Sequence, residues 1–163
     1  MTKPAGETSP PASTEERQER RKRGRAGHRA GGAAAPTAAR PLHVLVVDDD
    51  RVDRMALIRA LAQTGFDVTI GEADGVIAAI NLLGGSAFDC VLLDYNLPDG
   101  DGLTFLRGIR GAGISVTVIM ITGQQDAAVA TELVEAGAAD YIPKALFTPG
   151  LLAQTLARLF GDP

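Results

Sequence analysis

The 163-residue sequence predicts an α/β fold, doubly wound, with a five-stranded parallel sheet and helices on both faces. Three observations carry that expectation. Short apolar runs rich in Val and Ile alternate five times with stretches of helical periodicity. The short runs are apolar nearly throughout, as a sheet buried on both sides requires. Gly, Asp, Thr and Pro stand where helix caps and stops belong.

In chain order, Leu42 to Val47 reads as the first buried strand. After Asp48-Asp49-Asp50 comes a helix with Val52, Met55, Ile58, Leu61 and Ala62 on one face, stopped by Gly65. Asp67 to Glu72 is the second strand. Asp74 is placed to cap the second helix, whose inner face is Ile77, Ile80 and Leu83, or Val76, Ile80 and Leu83, closed by Gly84-Gly85. Phe88 to Leu93 is the third strand, and Asp94 to Gly102 is the turn beyond it. Leu103, Phe105, Leu106 and Ile109 make the third helix amphipathic. Val116 to Ile121 is the fourth strand; Asp126 then starts a helix with Val129, Leu133, Val134 and Ala136, ended by Gly137. Tyr141-Ile142 is a short fifth strand. Thr148 is an N-cap followed by Pro149 at the first helical position, and Leu152, Thr155, Leu156 and Leu159 face inward. Strict β–α alternation calls for a parallel sheet. Pro143 is tolerable only at a sheet edge, which puts the fifth strand there, as in the flavodoxin-like order 2-1-3-4-5.

Charge divides the chain near Pro41. Residues 1–41 hold nine Lys/Arg against four Glu, a net of +5; residues 42–163 hold seven Lys/Arg against sixteen Asp/Glu, a net of −9. The first segment is rich in Pro, Gly, Ala and Arg, with at most one Leu, Val, Ile or Phe. It buries too little apolar surface to offset the entropy of ordering, so a disordered basic tail is expected, with the folded domain over 42–163. The run Glu15 to Arg25 has the charge to touch nucleic acid, but a basic run without a folded platform is a weak signal. Arg20-Arg21 is a twin arginine, yet no leucine-like apolar core follows it and no segment reaches membrane-span length. A cytoplasmic protein is expected. The single cysteine, Cys90, lies in an apolar strand and reads as a buried, inert thiol.

Ligands in open α/β sheets bind beyond the carboxyl ends of the strands. The first strand ends in Asp48-Asp49, the third in Asp94, the fourth in Thr122 and the fifth in Lys144. A lone Asp after a strand is usually a turn former or cap. Four such residue types at four strand ends outweigh that bland reading. Carboxylates gathered at one edge repel unless a cation joins them, and an all-oxygen donor set suits Mg²⁺. With a hydroxyl and an ammonium beside it, the group reads as a phosphoryl-transfer site with a carboxylate nucleophile. There is no Gly-Lys-Ser/Thr phosphate loop, and neither His28 nor His43 lies at these positions.

These residues resemble a known family. Val46-Val47-Asp48-Asp49, the segment Asp94 to Gly102 (DYNLPDGDG), Ile121-Thr122-Gly123 and the segment Ala138 to Lys144 (AADYIPK) look like the motifs of the response regulator receiver domain. The similarity runs from about Leu42 to Phe160. The resemblance implies that Asp94 is the phosphoacceptor. It implies that Asp48, Asp49 and Asp94 hold Mg²⁺ with the Asn96 backbone carbonyl, and that Thr122 and Lys144 bind the phosphoryl group. Tyr141 matches an aromatic position that turns inward on activation, with an ordinary edge-strand aromatic as the equal alternative. Asn96 and Gln124 match positions that tune dephosphorylation. The implied phosphodonor is a sensor histidine kinase or a His-phosphotransfer protein.

One departure stands out: Ala145 follows Lys144 where many receivers have proline, so a trans peptide and a different turn are expected. The chain stops at Pro163, after the last helix, so output through a partner protein, a phosphorelay hand-off or the basic tail is expected. Two other readings stay open. One is a phospho-switched binder of nucleic acid, or another acidic partner, through the basic tail. The other is a Mg²⁺ phosphohydrolase, against which Asn96 stands where a second carboxylate would act as general acid.

Overall fold

A computed structural model of the chain describes residues 40–123 and 126–163. The basic tail therefore lies, but for its last two residues, outside the described residues, as does Gln124. Five strands form one parallel sheet: β1 (Leu42–Val47), β2 (Val68–Ala73), β3 (Cys90–Asp94), β4 (Thr117–Thr122) and β5 (Asp140–Pro143). Their order is β2-β1-β3-β4-β5, as expected, with Pro143 on the edge strand. Five helices connect and cover them: α1 (Arg51–Leu61), α2 (Val76–Gly85), α3 (Gly102–Gly111), α4 (Ala127–Glu135) and α5 (Pro149–Phe160). A two-residue antiparallel ribbon, Asn96–Leu97 with Gly100–Asp101, sits between β3 and α3.

Strand alternation sorts the core into two layers. Leu45, Val47, Val91, Leu93, Val118 and Met120 pack with Ala79 of α2, Leu103, Phe105, Leu106 and Ile109 of α3, and Leu133 of α4. Val44, Val46, Cys90, Leu92, Ile119 and Ile121 face the other way, against Leu57, Ala60 and Leu61 of α1 and Leu152 and Leu156 of α5. Every one of these side chains is at most 5% exposed, so neither sheet face is left to solvent. This double burial is why the strands read as continuous apolar runs.

The helix faces differ in places from the spacing-based expectation. In α1 the buried stripe is Leu57, Ala60 and Leu61, whereas Val52 is 75% exposed and Met55 is 40% exposed. Both lie in the helix's first half, which follows directly on the carboxyl end of β1. In α2 the buried residue is Ala79, with Val76 and Leu83 partly buried, and both Ile77 and Ile80 are exposed. A small residue sets the close approach of helix to sheet, a choice hydrophobicity alone does not reveal. Val134 of α4 is likewise exposed, and Leu133 carries that contact.

One cap also differs. Asp74 does not cap α2. The Asp99 carboxylate does so from the ribbon turn, accepting hydrogen bonds from the backbone N–H of Val76 (2.8 Å) and Ile77 (2.9 Å). A Cβ on Gly75, the residue at the cap position, would stand 2.6 Å from that carboxylate, so glycine there makes room for it. The other caps fall where expected: Asp126 accepts from the Ala128 N–H, and the Thr148 hydroxyl oxygen accepts from the Leu151 N–H. The α1 helix ends one turn short of Gly65, which takes a left-handed φ of 86° in the following turn.

Candidate functional site

Strand register builds the site. Val47 of β1 pairs with Leu93 of β3, so the next residues, Asp48 and Asp94, emerge side by side at the carboxyl edge. Neighbouring strands are about 4.8 Å apart, which sets the carboxylate spacing. Across β3 and β4, Asp94 pairs with Ile121, and Thr122 follows at the end of β4, opposite Pro143 of β5. Lys144 is the next residue, in a single 3₁₀ turn (Lys144–Leu146) before α5. Its peptide bond to Ala145 is trans, as expected.

Asp48, Asp49 and Asp94 each bring a carboxylate oxygen within 4.8 Å of the others. Asp48 is fully buried and Asp94 is 4% exposed, while Asp49 is open to solvent. Each buried carboxylate is anchored by backbone. Asp48 Oδ1 accepts from the Asp50 N–H at 2.8 Å, and Asp94 Oδ1 accepts from the Tyr95 N–H at 2.7 Å. The opposite oxygens share one ammonium: Lys144 Nζ donates to Asp48 Oδ2 at 3.0 Å and to Asp94 Oδ2 at 3.1 Å. Burial pushes the Asp48 carboxyl above its usual range, against the Lys144 hydrogen bond that pulls it down. Burial lowers the Lys144 ammonium, but its hydrogen bonds to Asp53, Asp48 and Asp94 together outweigh this and raise it. A lysine held charged among carboxylates, one of them reluctant to ionise, describes a site short of positive charge.

That shortage is the test for a metal ion. An all-oxygen set of three carboxylates, two of them positioned by backbone N–H groups, fits a hard divalent cation such as Mg²⁺. The remaining expected residues lie on β4, the ribbon and β5. Thr122 is buried at the end of β4. Asn96 is exposed in the ribbon, paired with Asp101. Tyr141 is half-buried against the apolar layer on the α2, α3 and α4 side of the sheet.

Three further residues shape the site, and sequence reasoning passed over them. Asp53, in the first turn of α1, accepts from Lys144 Nζ at 2.7 Å, the shortest of the three lysine contacts. Its only sequence signal is an acidic residue three positions after the helix cap Asp50. Arg54 Nη1 donates to the Asp48 carbonyl at 2.7 Å while its Nε donates to Glu72 at 3.1 Å, bracing the end of β1. Gly102 opens α3 directly behind Asp94. Its N–H donates to the Tyr95 carbonyl at 2.7 Å, and a Cβ there would lie 2.3 Å from the Asp94 carbonyl oxygen.

Comparison with known proteins bears on the family and the fold. The family model described as the response regulator receiver domain matches residues 44–156, most of the chain. The chain belongs to the response regulator receiver family. "Response regulator MprA" of Mycobacterium sp. strain KMS is 36% identical over 119 residues, covering 73% of this chain and 51% of the relative. The protein of the same name from Mycobacterium tuberculosis strain H37Rv is 35% identical over 118 residues, covering 72% and 50%. This receiver chain thus spans about half the length of the curated relatives it matches.

Among solved structures, the "BeF3 Activated DrrB Receiver Domain" superposes with a TM-score of 0.64 at 29% identity, covering 72% of this chain and 96% of that one. The receiver domain of the putative response regulator NarL from Mycobacterium tuberculosis gives 0.67 at 28% identity, covering 73% and 95%. Among the described residues of this receiver, no helix is long and apolar enough to cross a membrane.

Proposed function

We propose that this receiver takes a phosphoryl group on Asp94 from a phosphohistidine of a sensor histidine kinase or His-phosphotransfer protein. The observation that carries the reading is the single ammonium of Lys144 joining Asp48 and Asp94, at 3.0 and 3.1 Å, beside a three-carboxylate cluster. A carboxylate oxygen of Asp94 attacks phosphorus in line as the phosphorus–nitrogen bond of the donor breaks, and the leaving imidazole nitrogen takes a proton from solvent. Asp48, Asp49 and Asp94 hold Mg²⁺ with the Asn96 carbonyl; when bound, the ion neutralises charge on the phosphoryl oxygens. Lys144 turns its ammonium to one of those oxygens, and the Thr122 hydroxyl hydrogen-bonds another.

Movement of Thr122 toward the phosphoryl group opens space for Tyr141 to turn inward. That biases the surface made by α4, β5 and α5, which a partner protein reads. Residues 42–163 act as the receiver unit, in the cytoplasm, preceded by the basic segment 1–41, whose Arg40 pairs with Asp89 of that unit. The chain catalyses its own phosphoryl transfer and loss, with no turnover of other substrates.

The test is incubation with acetyl phosphate and Mg²⁺, read by intact mass. Wild type gains one phosphoryl group and Asp94→Asn gains none. Equal gain by both would remove Asp94 from the role. Turnover of an added phosphomonoester by wild type would favour the hydrolase reading instead.

A further inference from the structure

We infer that Asp53 is a positioning residue that competes with the phosphoryl group for Lys144 and so holds this receiver toward its unphosphorylated state. The inference rests on the proposed role of the Asp94–Lys144 site and deepens it.

Lys144 Nζ has three carboxylate partners, and they are not equivalent. Asp48 and Asp94 lie in the buried metal-ligating cluster. Asp53 lies outside that cluster, its side chain 47% exposed, yet it makes the shortest contact, 2.7 Å against 3.0 and 3.1 Å. It is also presented rigidly: Asp50 caps α1 and accepts from the Asp53 N–H itself, at 3.1 Å. Beside this contact is a cleft of about 220 Å³ whose other walls, Ala56, Leu57, Ile121 and Phe147, are apolar. Asp53 and Asp48 are the polar groups lining it other than the lysine itself, and Asp48 is fully buried. On the open side of the site, then, the ammonium is drawn by Asp53.

Phosphorylation replaces the single charge of the Asp94 carboxylate with a dianionic acyl phosphate. The new oxygens need Lys144, and Asp53 opposes them twice. It retains a share of the ammonium, and it places one more negative charge beside a group that is gaining charge. Losing Asp53 does not leave the lysine adrift, because Asp48 and Asp94 still hold it. What is lost is the competitor alone.

The test uses beryllofluoride, a non-covalent mimic of the phosphoryl group, titrated by calorimetry into the full chain at a Mg²⁺ concentration shown to saturate each variant. Asp53→Asn is expected to bind it at least threefold more tightly than wild type. Asp53→Glu, which keeps the charge on a similar reach, is expected to stay within twofold of wild type. Asp53→Ser serves as a second neutral variant should the asparagine find a new partner. Unchanged or weaker binding by the neutral variants overturns the inference, and so does equal tightening by Asp53→Glu. A mere packing role predicts weaker binding, so the sign separates the two. If wild type itself binds no beryllofluoride with Mg²⁺ present, the reading of the site falls and this inference falls with it. If wild type binds and the neutral variants do not bind more tightly, the competition alone is wrong.

Discussion

Replacing Lys144 with glutamine removes the one ammonium that joins Asp48 and Asp94, and its cost can be worked from the geometry. The ligand oxygens of these carboxylates lie within 4.8 Å of each other. At an effective dielectric of about 20, two unit charges at that separation repel by about 3.5 kcal/mol. Asp48 is fully buried and Asp94 is 4% exposed, so neither can turn fully to water. The lysine side chain is 29% exposed and its third partner Asp53 is 47% exposed, which discounts the loss through screening. Relaxation and partial protonation take a further share, leaving a net destabilisation of roughly 2–3 kcal/mol without metal, somewhat below the usual cost of breaking a buried pair. The assay is urea unfolding in EDTA and again in saturating Mg²⁺. The EDTA midpoint should fall with little change in slope, and Mg²⁺ should close most of the gap, because the divalent ion replaces the missing positive charge. A variant as stable as wild type in EDTA would mean that the carboxylates do not burden the fold. The electrostatic account of the site would then be wrong.

Two other outcomes test the frame around the site. Gly102→Ala puts a methyl group 2.3 Å from the Asp94 carbonyl oxygen, a backbone atom that cannot swing aside. It should cost roughly 1–3 kcal/mol as overpacking and slow the phosphorylation of Asp94, with phosphoryl incorporation as the readout; an unperturbed variant would contradict the close approach. Asp99 is held below the usual carboxylate range by the Ile77 and Val76 N–H groups it caps. A carboxylate whose pKa is lower folded than unfolded stabilises the fold above its unfolded pKa, and this is lost as pH falls through the folded value. Asp99→Asn should therefore be less stable than wild type at pH 7, with the difference shrinking by pH 3. A difference independent of pH would show that the carboxylate charge contributes nothing to the cap.

Much of this molecule was legible in its residue order. The five strand runs, the parallel order and the edge position of β5 followed from apolar continuity and from Pro143. The acidic and lysine residues at the ends of β1, β3 and β5 stand out in the sequence, and register brings Asp48 beside Asp94, with Lys144 bonded to both. Two features differ from the sequence-based expectation. Spacing places Val52, Met55 and Ile80 on inner faces where the structure exposes them and buries Ala60 and Ala79 instead, because small residues allow a helix to approach a sheet closely. The cap of α2 is not among its neighbouring residues: Asp99 reaches it from 23 residues further along the chain, whereas the sequence offers only the adjacent Asp74.

Local periodicity and strand-end chemistry are properties of a few consecutive residues, and the sequence by itself determined them: the alternation, the sheet and the identity of the acidic, hydroxyl and ammonium groups. Only the tertiary structure decided that Asp53 meets Lys144 across 91 residues, that Arg54 braces the Asp48 carbonyl and that Gly102 must yield space behind Asp94. Those contacts depend on how far each helix projects past the sheet edge and how near it lies. That distance is set by the packing of all the layers together, and no short window of residues contains it.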